Sequence, residues 1–134
     1  MDTGPLIWVI EDSPLTTPTV AEALALAGFR VRAASAISEA LAGMQKDPPE
    51  VILLDLALPG IDGVTAAQFL KADPDLRAVP LILVSGLSLA ELRFKMVECG
   101  AVDAIRKPVK VGDLVHLMRY WAAPDLIREM IAAN

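Results

Sequence analysis

The chain has 134 residues, a length that suits one domain with its own buried core. Its net charge is −5, from 12 Lys and Arg against 17 Asp and Glu, and it has no basic stripe, so direct binding to nucleic acid is not expected. No apolar run approaches the roughly 18 residues that a membrane-spanning helix needs, and no basic segment precedes the first apolar run, so we expect a cytoplasmic protein without a signal peptide.

Short apolar runs alternate with helical patterns along the chain. Continuous apolar runs between helices are typical of parallel strands that are buried on both faces. The second run is flanked by Arg30 and Arg32, which favours an edge position in the sheet. The predicted strands are Leu6–Ile10, Val31–Ala34, Val51–Leu54, Leu81–Val84 and Asp103–Arg106.

Capping residues and prolines mark the helix boundaries. The start of the first helix is open, because Pro18 follows Pro14 closely and a proline inside a helix removes a backbone bond. This helix begins either at Pro14 with a distorted first turn or at Pro18 with Thr17 as its N-cap. The first helix is predicted to end at Ala27, and the third to follow Gly63 and stop near Ala72. The other predicted helices are Ile37–Gln45 with Ser35 as N-cap, about Leu89 to Glu98, Asp113–Trp121 and a short extension at Asp125–Ala133.

This alternation of strands and helices predicts an α/β fold. The expected architecture is a flavodoxin-like (βα)5 three-layer sandwich with a five-stranded parallel sheet in the order 2-1-3-4-5. We predict one domain over residues 1–134, with a core at about 6–121 and a helical extension at about 125–133.

Reactive side chains follow four of the five predicted strands. Strand one is followed by Glu11 and Asp12, strand three by Asp55, strand four by Ser85 and strand five by Lys107. Ligands of open parallel sheets bind beyond the carboxyl ends of the strands, and in this strand order the four contributing strands are neighbours. We therefore expect three carboxylates, one hydroxyl and one ammonium to share one pocket.

Three gathered carboxylates favour a bound divalent cation, because two like charges 4 Å apart repel by roughly 4 kcal/mol at an effective dielectric near 20. Mg²⁺ takes one or two carboxylates and keeps several waters, which leaves room for phosphate oxygens. Asp55 can then act as a carboxylate nucleophile that forms an aspartyl phosphate. Lys107 would offset the charge of the transferring group, and Ser85 would donate a hydrogen bond to it.

Each of these residues also has an ordinary structural interpretation. The acid pair at 11–12 could cap the following helix, Asp55 could be a strand-end acid, Ser85 could belong to a turn, and Lys107 could be solvated. The coincidence at four strand ends favours the shared site. Two other reactive residues are given structural roles: Cys99 is expected to be buried, and His116 to be structural or solvated.

The stretch from about Leu6 to Trp121 resembles a response-regulator receiver domain of two-component signalling. The resemblance rests on the pair Glu11-Asp12, on VILLDLALPGIDG around Asp55, on LILVSG ending at Ser85-Gly86, and on Lys107-Pro108. It implies a phospho-acceptor, not an enzyme in the usual sense, whose donor is a histidine kinase or a phosphotransfer protein. It also implies a homodimer or a downstream protein contact through helix 4, strand 5 and helix 5.

Carried over to this sequence, the resemblance implies that Asp12 and Asp55 ligate Mg²⁺ and that Glu11 acts through metal-bound water. The backbone carbonyl of Ala57 would be a further ligand. Ser85 and Lys107 would contact the phosphoryl group on Asp55.

One position departs from the family pattern, which usually has an aromatic residue three positions before the lysine. This chain has Ala104 there, so a swinging aromatic ring cannot carry the signal. The alternative hypothesis is a pseudo-receiver that serves as a constitutive protein-interaction module. A phosphatase with an aspartyl nucleophile is disfavoured because Ala57 occupies the position of its second aspartate, and no P-loop supports an NTPase.

Overall fold

The computed structural model describes residues 4–12 and 17–133, without the side chains of residues 17–19 and 125. All five predicted strands are present and run parallel, in the order β2-β1-β3-β4-β5. The predicted α/β architecture and the edge position of the second strand are therefore confirmed. The strands are β1 (Leu6–Ile10), β2 (Arg30–Ala34), β3 (Val51–Asp55), β4 (Leu81–Ser85) and β5 (Asp103–Arg106).

The helices fall close to their predicted bounds. They are α1 (Thr17–Leu26), α2 (Ile37–Lys46), α3 (Gly63–Ala72), α4 (Leu89–Cys99), α5 (Val111–Ala122) and α6 (Asp125–Ala133). Pro14, one of the two predicted starts of the first helix, lies outside the described residues. None of the helices in the described ranges has the length and apolar content that crossing a bilayer requires.

The predicted N-cap of the second helix is wrong. Because α2 begins at Ile37, its N-cap is Ala36, which makes no side-chain capping bond. The backbone N–H and the hydroxyl of Ser35 both donate instead to the carboxylate of Glu39, at 3.4 and 3.3 Å. Ser35 therefore lies one residue before the N-cap and two before the first residue of the helix.

Alternate residues of the central strands point to opposite faces of the sheet, as the period of a β-strand requires. On one face Trp8 and Ile10 pack with buried residues of α2, α3 and α4. On the other face Ile7 and Val9 pack with α1 and α5. Both faces of the sheet are covered, which explains why the strand sequences are continuously apolar.

The indole of Trp8 lies directly against α2. Its Nε1–H donates to the backbone carbonyl of Asp47 at 2.7 Å, and the residue is 5% exposed. A Cβ added at Gly43 would lie 2.2 Å from Cη2 of this ring. The glycine therefore allows the helix to approach the sheet at this point.

We expect Gly43→Ala to lower the free energy of unfolding by about 1–3 kcal/mol, because the new methyl group overpacks a ring that its hydrogen bond holds in place. Urea denaturation measures the change. Gly112→Ala in α5 is the matched control, since nothing lies within 4 Å of a Cβ there. The control should gain up to about 1 kcal/mol from helix propensity. Equal effects of the two substitutions would contradict the steric explanation.

The C-terminal helix α6 is attached to the rest of the molecule at Trp121. The indole Nε1–H donates to the Asp103 carboxylate at 3.0 Å, which joins the end of α5 to the start of β5. The guanidinium of Arg128 lies 5.3 Å from the centre of the indole ring and donates to the carbonyls of Trp121, at 2.9 Å, and Ala123. One arginine thus connects α6 to the aromatic side chain and to the chain that leaves α5.

Candidate functional site

The four strands with reactive residues at their ends are neighbours in the sheet. The register pairs Ile10 with Leu54, Asp55 with Val84, and Ser85 with Arg106. Because parallel strands end at the same edge and lie about 4.8 Å apart, the residues that follow them form one row. The strand order therefore places the predicted site residues along a single edge of the sheet.

Asp55 and Lys107 form the central contact of this row. The Lys107 Nζ lies 2.6 Å from Oδ2 of Asp55, and the backbone N–H of Ala57 donates to Oδ1 at 2.8 Å. The Asp55 side chain is 5% exposed and the Lys107 side chain 33%. Both carboxylate oxygens accept a hydrogen bond, one of them from a cation, so a buried negative charge is stabilised at the end of β3.

Ser85 is buried at the end of β4, and its backbone is tied to β5. The backbone N–H of Lys107 donates to the Ser85 carbonyl at 2.8 Å. The Ser85 Oγ accepts from the backbone N–H of Leu87 at 3.0 Å. Because that contact uses a lone pair of the oxygen, the hydroxyl hydrogen can still be donated to a ligand.

The predicted acid pair is divided between interior and solvent. Glu11 is 7% exposed, whereas Asp12 is on the surface. Across residues 4–12 and 17–133, no three His, Cys, Asp or Glu side chains are grouped closely enough to hold a metal ion by themselves. The structure thus joins Asp55 to Lys107, and it does not gather three carboxylates at one point.

The oxygen donors at this edge nevertheless have the chemistry that Mg²⁺ requires. The buried carboxylates of Glu11 and Asp55 lie at the ends of the adjacent strands β1 and β3, and Asp12 and Ala57 lie close to them in the chain. Mg²⁺ binds through one or two carboxylates and completes its shell with water, so a cluster of three is not needed. The residues present fit this ion.

A groove with a volume of ≈ 340 Å³ lies between the β3–α3 loop, the start of α3, the β4–α4 loop and α4. Its walls are mostly apolar, and it reaches both Ala57 and Ser85. Asp62 and Lys95 bring opposite charges to its lining. A small solute in this groove would therefore contact two of the predicted site residues.

Three residues outside the row behave as the sequence indicates. Ala104 is half-buried and packs against the core on the α4 side, His116 is exposed, and Cys99 is 3% exposed with a free thiol.

One contact at this edge of the sheet was not predicted from the sequence. Arg106 donates from Nε to the carbonyl of Leu87 at 3.0 Å, and only the position beside Lys107 could have drawn attention to it.

We expect Lys107→Met to lower the free energy of unfolding by about 1–2 kcal/mol, because the buried Asp55 carboxylate loses the ammonium that hydrogen-bonds to it. The ammonium is partly exposed, which limits the size of this loss. Asp55→Asn should cost less, since the amide oxygen can still accept from Ala57 and Lys107 can reach solvent. Urea denaturation of the two variants at neutral pH provides the comparison. If Asp55→Asn lowered the free energy of unfolding more than Lys107→Met, the explanation that an unpaired Asp55 carboxylate is the costly group would be contradicted.

Burial, followed by the nearby charge of Glu98, raises the pKa of the Cys99 thiol. The reactive thiolate is therefore scarce at neutral pH, and its sulfur is also inaccessible. We expect alkylation by iodoacetamide to be much slower in the folded protein than in urea, as followed by intact mass. Equal rates in the two states would show that the thiol is open to solvent.

An α/β fold with a buried Asp–Lys pair at the carboxyl edge of its parallel sheet defines the class of this protein, and comparisons with known proteins identify the family. The profile of the response regulator receiver domain matches residues 7–119. The chain belongs to this family, which functions in two-component signalling.

Relatives of known sequence and structure agree with this assignment. The C4-dicarboxylate transport transcriptional regulatory protein DctD of Rhizobium meliloti is 33% identical over 120 residues, which are 89% of this chain and 25% of that protein. The receiver domain of a sensor histidine kinase from Pseudomonas aeruginosa PAO1, solved with magnesium in its active site cleft, has a TM-score of 0.80 at 27% identity and covers 90% of this chain and 98% of that one.

The chemotaxis response regulator CheY4 of Vibrio cholerae has the same fold, with a TM-score of 0.82 at 23% identity, over 89% of this chain and 99% of that one. Among curated relatives, the chain spans between about a quarter and a half of the matched protein, for example 25% of DctD and 50% of the transcriptional regulatory protein PrrA of Mycobacterium tuberculosis. The similarity therefore concerns the receiver domain of these regulators.

Proposed function

We propose that this receiver domain accepts a phosphoryl group on Asp55 in a Mg²⁺-dependent reaction, and that the modification changes a protein-interaction surface. The observation that carries the proposal is the buried Asp55 carboxylate with the Lys107 ammonium 2.6 Å away. A buried carboxylate with a cation beside it combines a nucleophile with a group that can stabilise the incoming negative charge.

In the proposed reaction, a carboxylate oxygen of Asp55 forms a bond to phosphorus while the bond from phosphorus to the donor breaks, and the donor leaves with the bonding electron pair. Lys107 donates to a phosphoryl oxygen in place of the carboxylate, and the free hydrogen of the Ser85 hydroxyl is donated to another. The hydrogen bond from the Ala57 N–H to Asp55 orients the carboxylate for attack. The residues act by position and charge, as phosphoryl transfer requires.

The residues proposed to hold Mg²⁺ are Asp12, Asp55, Glu11 through a water, and the carbonyl of Ala57. A bound Mg²⁺ ion would neutralise part of the charge on the transferring group. The magnesium-containing cleft of the Pseudomonas receiver domain and the oxygen donors at this edge both support the proposal. With these groups the domain is proposed to catalyse no more than its own phosphorylation from small donors and its own dephosphorylation.

The proposed phosphodonor is a histidine kinase or a phosphotransfer protein. The proposed output surface consists of α4, β5 and α5, where a second copy or a downstream protein would bind. Phe94 and Val97 on α4 are 75% and 83% exposed, which supports a contact with a protein rather than with nucleic acid. The proposed location is the cytoplasm, with which the free, buried Cys99 is compatible.

A pseudo-receiver is the second candidate function, and Ala104 is the observation that favours it. Its methyl group packs against the core and offers no side chain that could change position. In this alternative the chain would bind its partner constitutively, through the same fold, without accepting a phosphoryl group.

Incubation with acetyl phosphate and Mg²⁺ should increase the intact mass of the native chain by one phosphoryl group, whereas Asp55→Asn should show no increase. Omission of Mg²⁺ with added chelator should abolish the reaction in the native chain. The asparagine variant is the matched control, because it keeps the size of the side chain and removes the nucleophile.

Two results together would favour the pseudo-receiver. The mass of the native chain would stay unchanged under these conditions, and beryllofluoride would cause no Mg²⁺-dependent change in the spectrum of the protein. A mass increase that persists in Asp55→Asn would place the acceptor at another residue.

A further inference from the structure

Leu87 lies between the proposed acceptor site and the start of α4, and both its backbone N–H and its backbone carbonyl form hydrogen bonds to side chains. Its backbone N–H donates to the Ser85 Oγ at 3.0 Å, and its carbonyl accepts from the Arg106 Nε at 3.0 Å. The next residue, Ser88, is the N-cap of α4 and accepts from the N–H of Glu91. The loop of three residues between β4 and α4 is therefore held at its centre by one serine and one arginine.

Arg106 is well placed to control this loop because β5 is fixed independently of it. The register pairs Arg106 with Ser85, and the backbone N–H of Lys107 donates to the Ser85 carbonyl at 2.8 Å. The arginine side chain therefore reaches from an ordered strand to the neighbouring loop. Nothing else among the described contacts of residue 87 ties its carbonyl to β5.

We propose that Arg106 is a positioning residue that, by holding the Leu87 carbonyl, keeps the Leu87 N–H on the Ser85 oxygen and so orients the Ser85 hydroxyl toward the phosphoryl group. The effect on phosphorylation rests on the proposed function. Because the loop leads directly into the N-cap of α4, the same contact links the state of Ser85 to that helix. This link needs no aromatic side chain at position 104.

Two substitutions separate the hydrogen bond from the charge. The Nε2 of glutamine lies as many bonds from Cα as the Nε of arginine, so Arg106→Gln keeps a donor at the same reach and removes the charge. Arg106→Met reaches the same ε position as glutamine and has no donor there. The proposal requires Gln to behave like the native residue and Met to differ from both.

The first measurement uses the resting protein and is independent of phosphorylation. Hydrogen exchange of the Leu87 amide, followed by NMR, should be roughly three- to tenfold faster in Arg106→Met than in the native chain, the range that one hydrogen bond provides. Arg106→Gln should remain close to native. Native-like exchange in Arg106→Met would overturn the inference whatever the outcome of the phosphorylation test. Equal acceleration in both variants would also overturn it, because charge and not the hydrogen bond would then be responsible.

The second measurement tests whether Arg106 acts through Ser85. The rate of phosphorylation by acetyl phosphate and Mg²⁺ should fall roughly three- to tenfold in Arg106→Met. In a Ser85→Ala background the same substitution should have no further effect, since residues that act through one another are not additive. Full additivity would overturn the positioning role. If no variant, the native chain included, accepts a phosphoryl group, the proposed function fails while the exchange measurement still decides the role of Arg106.

Discussion

The contact between the Asp55 carboxylate and the Lys107 ammonium is the constraint on which the site depends. Asp55 is the last residue of β3 and Lys107 follows β5, and their side chains meet across the end of β4, which lies between those strands in the parallel sheet. A carboxylate that is 5% exposed would be costly without a cation and a backbone donor at its two oxygens. The core packing that fixes the strand order therefore also fixes the charge arrangement at the sheet edge.

The fold, and with it the place of the reactive residues at one edge of the sheet, could be predicted because both follow from a strong local pattern. The predicted strands agree with the observed ones within one residue at each end. Reactive groups stand at or just after the ends of four of them, and parallel strands end at the same edge. Whether those groups touch depends on side-chain conformation and loop geometry. The sequence therefore predicts which groups share the edge, whereas the structure adds that Asp55 contacts Lys107 directly and that Asp12 is exposed.

Two polar contacts that the sequence did not predict involve a loop or the start of a helix. The bond of Arg106 to Leu87 depends on the path of the β4–α4 loop, which no periodicity encodes. The N-cap of α2 was assigned to Ser35 because serine is a common cap, but the helix begins after Ala36 and the serine binds Glu39 instead. Such polar contacts have small energies and several near-equivalent partners, so composition alone does not choose among them.

The attachment of α6 at Trp121 makes this residue an internal optical probe. The chain has two tryptophans, and Trp8 is enclosed between β1 and α2 in the core. The emission of an indole responds to a stacked cation and to a carboxylate at its N–H, and Trp121 has both, from Arg128 and Asp103. Undocking of the last helix would therefore change the fluorescence of one tryptophan against the constant background of the other, without any added label.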